Sequence, residues 1–217
     1  MSRRPVKRKY DATSRRVAAA ATRDRVCAAA EELFLRDGYA RTSIRAVARA
    51  ADVAEATIYL VFENKAALLD AVIIRATRDN PSESLEAIAA APPKDVLGRM
   101  ASSNAVLMAR AGRLIALGEA ASLMDAELRP LRERAHNNLR AAFRVIADRL
   151  DEAGLLRVDP RQAADSLYAI ANESTYLRMT DAAGLSPDAY ARWLTQTLSA
   201  ALLRPPARRR SRARRES

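Results

Sequence analysis

The chain has 217 residues, a formal net charge of +11, six Gly and one Cys. Nearly half of it, 49%, is apolar, and Ala, Leu and Arg dominate, which favours helix throughout a chain long enough to bury a real core. The lone Cys27 excludes an internal disulfide, no apolar run approaches a membrane span, and the charged N-terminus lacks the apolar stretch of a signal peptide, so a reducing cytoplasm is the natural setting.

Residues 1–12 read as a flexible basic arm. Arg3, Arg4, Lys7, Arg8, Lys9, Arg15 and Arg16 stand against Asp11 alone, and the tail from 204 to 217 is equally basic. The body between is close to neutral. Basic ends of this kind suit a polyanion, usually nucleic acid, although solubilising tails are the plainer reading. From Thr13 onward helix is allowed, and whether 13–21 extends the first helix is open. Val26, Ala29, Ala30, Leu33 and Phe34 form that helix's apolar face, with Cys27 on the same side, and Gly38 stops it as a left-handed C-cap.

Three short helices follow. Thr42 is a candidate N-cap, and Ile44, Val47, Ala48 and Ala51 make an apolar face. Asp52-Val53 interrupts at the length of a helix-turn-helix corner. The second helix runs from Ala54 to Phe62. Ile58 and Phe62 face inward, Glu55, Thr57 and Tyr59 face outward, and Ala54 and Ala56 allow a close backbone approach, a pattern that suits a DNA major groove. Asn64 then caps a helix with Lys65 at its first position and Leu68, Leu69 and Val72 as its stripe.

That helix should end near Arg78. A short helix over 82–91 is possible before Pro92-Pro93. Helices are then expected from Asp95 to about Ala111 and from about Gly112 to Leu123. A long one from Ala126 carries Leu128, Leu131, Ala135, Leu139, Phe143, Ile146 and Leu150 at helical spacing, with Pro130 in its first turn and Gly154 at its end. Asp159-Pro160 and Ser186-Pro187 open the last two helices. The first of these ends before Gly184, and the second stops at Pro205-Pro206. Both are apolar on more than one face and need a second surface to cover them.

Residues 23–72 resemble the DNA-binding domain of the TetR family of bacterial repressors. The order is a first helix ending in Leu33-Phe34, Gly38-Tyr39, Thr42-Ser43, a helix closing on Ala51, a Thr57-Ile58-Tyr59 recognition helix, Phe62, then Asn64-Lys65 and Leu68-Leu69. Asp52 stands where the family has a turn glycine, and Ala54 where it has a capping Ser. Asp tolerates the left-handed turn, and the missing cap costs the helix about 1 kcal/mol. Val61 replaces an aromatic or His. The resemblance implies an all-α chain with a helix-turn-helix domain over 13–64, a ligand-binding and dimerisation domain over 65–203, and a homodimer joined by its last two long helices. It places Thr42, Ser43, Arg45, Glu55, Ala56, Thr57, Tyr59 and Lys65 at DNA: Arg45 at a base or phosphate, 55–57 in the groove, Tyr59 and Lys65 at phosphates. Glu55 is awkward beside a polyanion and could equally point to solvent. Leu167, Trp193, Leu194, Thr197, Leu198 and Ala201 are the expected dimer contacts.

No catalytic constellation, Gly-rich phosphate loop, metal-ligand spacing or cofactor motif appears. Asp181, Glu173 and Glu119 stand singly. The one His, His136, reads either as a satisfied core or surface group or as part of a ligand site. In this family a cavity among the middle helices takes an effector. Met108, Met124, His136, Phe143, Tyr168 and Tyr176 are candidates for it here, with Met100 and Leu117, although Met and aromatic stripes commonly serve packing alone. The expected function is a DNA-binding repressor released from a palindromic operator by a small molecule. A ligand-independent architectural DNA-binding protein is the alternative, and a helical-bundle enzyme or carrier is a rival of another class.

Overall fold

In a computed structural model, residues 8–78 and 81–205 are described. The basic segments 1–7 and 206–217 lie outside them, and with them most of both expected arms. The described residues form ten α-helices: α1 Arg8–Asp37, α2 Ile44–Ala50, α3 Glu55–Val61, α4 Lys65–Arg78, α5 Leu85–Ala89, α6 Val96–Ser122, α7 Arg129–Glu152, α8 Pro160–Ile170, α9 Glu173–Leu177 and α10 Pro187–Leu202. The extension of α1 through 13–21 is therefore present, and helix reaches back to Arg8, into the segment expected to be a flexible arm.

Two apolar clusters share α6. One gathers Val26, Ala30, Phe34, Val47, Ile58, Leu68, Leu69 and Val72 from α1 to α4, and Ala111, Leu114 and Ala121 of α6 close it. The other is built on Met100, Ala101, Ala105 and Met108 of α6, with Ile146, Leu150, Leu167, Tyr190, Leu194 and Leu198 around them. Helix α4, expected in the second domain, packs its buried face into the first cluster and also lies on α6. A Cβ on Gly118 would lie 2.7 Å from Ile73 Cδ1, the flexible end of a side chain on α4, so a larger residue there would make Ile73 shift.

Helix α6 is one continuous element, where a break at Gly112 was expected. An interior Gly costs about 1 kcal/mol against Ala. Burial of Met108, Ala111 and Leu114 on either side of it, across both clusters, outweighs that penalty. The opposite correction applies downstream. The single helix expected from Pro160 to Gly184 breaks at Ala171, whose φ and ψ are −90° and 60°. Asn172 restarts the chain by capping Thr175 N–H through Oδ1 at 2.9 Å, a competition that Asn offers any helix interior. The buried Asn104 donates to the carbonyl freed at Ala171 (3.2 Å) and accepts from Tyr190 OH (3.1 Å). Helix α9 then runs on as a π-helical turn over Arg178–Ala182.

The α7 stripe is as expected, although the helix starts at Arg129, after a turn in which Leu128 is fully buried. The chain leaving α10 is pinned to the α7–α8 loop by Arg157 N–H to Leu202 O and Arg204 N–H to Leu155 O, both 2.9 Å.

Candidate nucleic-acid interface and ligand cavity

The turn between α2 and α3 is made by Asp52 at φ 53°, the non-Gly residue with a left-handed backbone among those described. It fills the place of the turn glycine at modest cost. Helix α3 has no side-chain cap at Ala54. It is seated by Ile58 (0% exposed) and Phe62, and the Arg23 guanidinium lies 4.5 Å from the centroid of the Phe62 ring. The rest of α3 faces outward: Ala54, Glu55, Ala56, Tyr59 and Leu60 are exposed and Thr57 is half-buried. Arg45 on α2 is exposed, with Nε 3.8 Å from Glu55 Oε1. Glu55 therefore has a cation beside it.

Thr42 does not belong to this surface. It is 3% exposed, and its hydroxyl donates inward to the Gly38 and Leu33 carbonyls at 2.8 and 3.2 Å. Ser43 is the N-cap of α2, its Oγ accepting from Ala46 N–H at 3.1 Å. Lys65 sits at the start of α4 behind the Asn64 cap, whose Oδ1 accepts from Ala67 N–H at 2.7 Å. Its Nζ is 4.2 Å from the centroid of the Tyr39 ring, and partial burial lowers its pKa, with Asp125 acting against that. Leu60, which sequence reasoning did not single out, is 87% exposed beside Tyr59. A large apolar side chain on the outer face of a recognition helix, out of register with Ile58 and Phe62, was the available signal.

A network of charges joins the reading head to the second domain. Glu31 of α1 accepts from Arg75 of α4 at 2.7 Å and from Arg110 of α6 at 2.5 Å. Burial raises the Glu31 pKa, but the two guanidinium groups outweigh it and hold the carboxyl below its ordinary range.

Between α4, α6, α7 and α8 lies a cavity of about 380 Å³. Ile73, Leu107, Met108, Ile115 and Leu139 give it an apolar wall, and Asp70, Glu119, Arg132, His136 and Tyr168 a polar one. Tyr168 OH is 2.9 Å from His136 Nδ1, and His136 Nε2 is 3.1 Å from Glu119 Oε2. The other Glu119 oxygen accepts from Arg132 Nε at 2.8 Å, and Arg132 is only 6% exposed. Burial raises the pKa of Asp70, with Arg134 and Arg132 opposing.

Three of the six expected ligand residues meet here: Met108, His136 and Tyr168. Met124 is 85% exposed on the α6–α7 turn, where with Leu117 it lines a separate groove against Tyr39. Phe143 and Tyr176 are core residues, as is Met100, and Tyr176 packs edge-on against Tyr190 at 4.9 Å. Glu119 does not stand singly, and neither does Asp181, which pairs with Arg113 at 2.9 Å. The i, i+4 placement of Arg132 and His136 on α7 was the legible trace of this network.

The expected dimer contacts divide. Leu167, Leu194 and Leu198 are fully buried within their own subunit, where they hold α8 and α10 onto α6 and α7. Trp193, Thr197 and Ala201, four apart on α10, stay half-exposed. The exposed positions of α10 include Asp188, Arg192 and Gln196, so its outer face is more polar than its sequence suggested.

Residues 26–72 match the model of the bacterial regulatory proteins of the tetR family. Over these residues the chain carries a TetR-family DNA-binding domain. A solved structure of NalD, the secondary repressor of the MexAB-OprM multidrug efflux pump in Pseudomonas aeruginosa, is 26% identical with a TM-score of 0.67, over 86% of this chain and 98% of that one. A transcriptional regulator from Saccharomonospora viridis in complex with choline (18% identical, TM-score 0.68, covering 86% and 100%) and the SmeT–triclosan complex (19%, 0.67, 86% and 93%) share the fold. No curated protein sequence matches the chain. With that domain, this protein is a DNA-binding transcriptional regulator and not an enzyme. No described helix is long and apolar enough to cross a membrane.

Proposed function

We propose that this TetR-family protein is a cytoplasmic repressor that binds a palindromic operator as a homodimer and leaves it when a small, largely apolar molecule occupies the α4–α6–α7–α8 cavity. The observation that carries the reading is the cavity's α4 wall. Asp70, Ile73, Ile74 and Thr77 line it, and α4 is the helix whose first residue is Lys65 and whose buried face completes the core beneath α2 and α3. A ligand that needs more room between α4 and α7 acts on the reading head through a packed element, and packed elements shift as units.

The lining supports an apolar body carrying one hydrogen-bonding group, which Tyr168 OH, His136 or Glu119 would meet. Choline and triclosan, the compounds bound in two proteins of this fold, are both small. At the DNA face, Arg45, Ala56, Thr57 and Leu60 would read base edges, while Ser43, Tyr59 and Lys65 would hold phosphates. Glu55 would act through Arg45. In the dimer, the half-exposed stripe of Trp193, Thr197 and Ala201 would meet its symmetry mate and fix the spacing of two recognition helices.

The test is release of a labelled operator by a panel of small apolar molecules carrying one donor or acceptor. Active compounds should lose potency with Tyr168→Phe, while ligand-free operator binding changes little. Linkage requires the operator to weaken ligand binding by the same factor. If compounds bind in the cavity and operator affinity does not move, the effector reading is wrong.

A further inference from the structure

The corner joining α1 to α2 is gripped from the second domain. Tyr39 OH donates to Asp125 Oδ2 at 2.6 Å, two residues far apart in sequence. Asp125 is itself fixed on the α6–α7 turn. Its Oδ1 accepts from Glu127 N–H at 3.0 Å, and its own N–H bonds Ala121 O at 2.9 Å, at the end of α6. Over the face of the same ring lies the Lys65 ammonium, 4.2 Å from the ring centroid and 3.5 Å from the Ala40 carbonyl. Burial, with the Asp125 carboxylate beside it, raises the Tyr39 pKa, so the phenol stays a donor.

A free lysine stem has many rotamers, and freezing them at a DNA phosphate costs entropy. A cation already resting on an aromatic face has lost much of that freedom before DNA arrives. The ring can do this only while it is itself held, and its polar end is held by Asp125. We infer that Asp125 is a positioning residue for DNA binding, acting through Tyr39 on Lys65. This rests on the reading of Lys65 as a phosphate contact.

The sign of the effect separates positioning from electrostatics. Asp125 carries a negative charge near a surface that meets a polyanion, so its removal should by charge alone tighten DNA binding. Positioning predicts the opposite. General damage to the fold would weaken binding whether or not Lys65 is present.

The experiment is a double-mutant cycle in the full-length protein, using a DNA duplex enriched by the wild-type protein from random sequence. Lys65→Ala should lower affinity about tenfold. Asp125→Ala and, separately, Tyr39→Phe should each lower it about three- to tenfold in the wild-type background and less than about twofold in the Lys65→Ala background. Tyr39→Phe keeps the ring and the fold and deletes only the hydroxyl, so it carries the test if Asp125→Ala disturbs the turn. Losses equal in both backgrounds, or tighter binding by Asp125→Ala and no effect of Tyr39→Phe, overturn the inference while leaving the Lys65 contact standing. If Lys65→Ala alone has no effect, the phosphate reading falls and the inference goes with it.

Discussion

Glu119→Ala should be among the more damaging single substitutions on the polar side of the α4–α6–α7–α8 cavity. Its partner Arg132 has a side chain 8% exposed, while Glu119 is 28% exposed. Breaking a fully buried ion pair by removing one member costs about 3–5 kcal/mol, because the other charge is left without compensation, whereas an exposed pair is worth about 1 kcal/mol or less. With the guanidinium buried and the carboxylate partly wet, about 3 kcal/mol is the reasonable estimate. For a chain of this size that is roughly 6–12 °C in Tm. Glu119→Gln keeps an acceptor toward Arg132 and should cost about 1–2 kcal/mol. Arg132→Met removes the buried charge and fills much of the same volume, so the Glu119→Ala, Arg132→Met double variant should be more stable than Glu119→Ala alone. Denaturant or thermal unfolding at one fixed protein concentration checks this, since the proposed dimerisation would make stability concentration-dependent. A loss below about 1 kcal/mol for Glu119→Ala, with the two substitutions simply additive, would mean that Arg132 finds water unaided and that the network is not a buried one.

Other outcomes follow from the same geometry. At the reading head, Arg45→Ala and Thr57→Ala should change preference at particular base pairs by about 1–3 kcal/mol, while Tyr59→Phe should weaken all sequences alike; binding to a panel of single-base operator variants separates the two behaviours. Ala54→Ser restores a side-chain cap to α3 and should stabilise the protein by about 1 kcal/mol, read as a rise of a few degrees in Tm. Trp193→Arg puts a charge into the stripe offered to the second subunit, so light scattering should report a monomer and operator affinity should fall by orders of magnitude. Leu198→Arg is different, because Leu198 is already buried in its own subunit; it should unfold the domain and not merely divide the dimer.

What was legible in the sequence is mostly local. The left-handed Asp52, the uncapped Ala54, the inward pair Ile58 and Phe62, and the Asn64 cap all depend on neighbours within a few residues, and they stand as expected. Thr42 and Ser43 show the limit of local signals. Both can cap a helix, and only the tertiary position of the Leu33 and Gly38 carbonyls draws Thr42 inward and leaves the cap to Ser43. The failures further along are long-range. Helix α6 stays whole through Gly112 because two cores hold its flanks. Helix α8 stops at Ala171 because Asn104, remote in sequence, accommodates the freed carbonyl. The leucines of α8 and α10 were assigned to a partner because both helices looked apolar all round, whereas α6 and α7 cover them within one chain. In the cavity, an aromatic or Met residue does not reveal from sequence whether it meets empty space or packed side chains, so Phe143 and Tyr176 were indistinguishable from Tyr168.

The central claim is that two copies of the α2–α3 head, held at fixed spacing, read one DNA site. Selection of bound duplexes from a random pool by the full-length protein at physiological salt tests it most directly. The account predicts an enriched palindrome whose half-sites lie about one helical turn, or a multiple of it, apart. Recovery of a single unrepeated half-site, or of no preferred sequence at all, would contradict it.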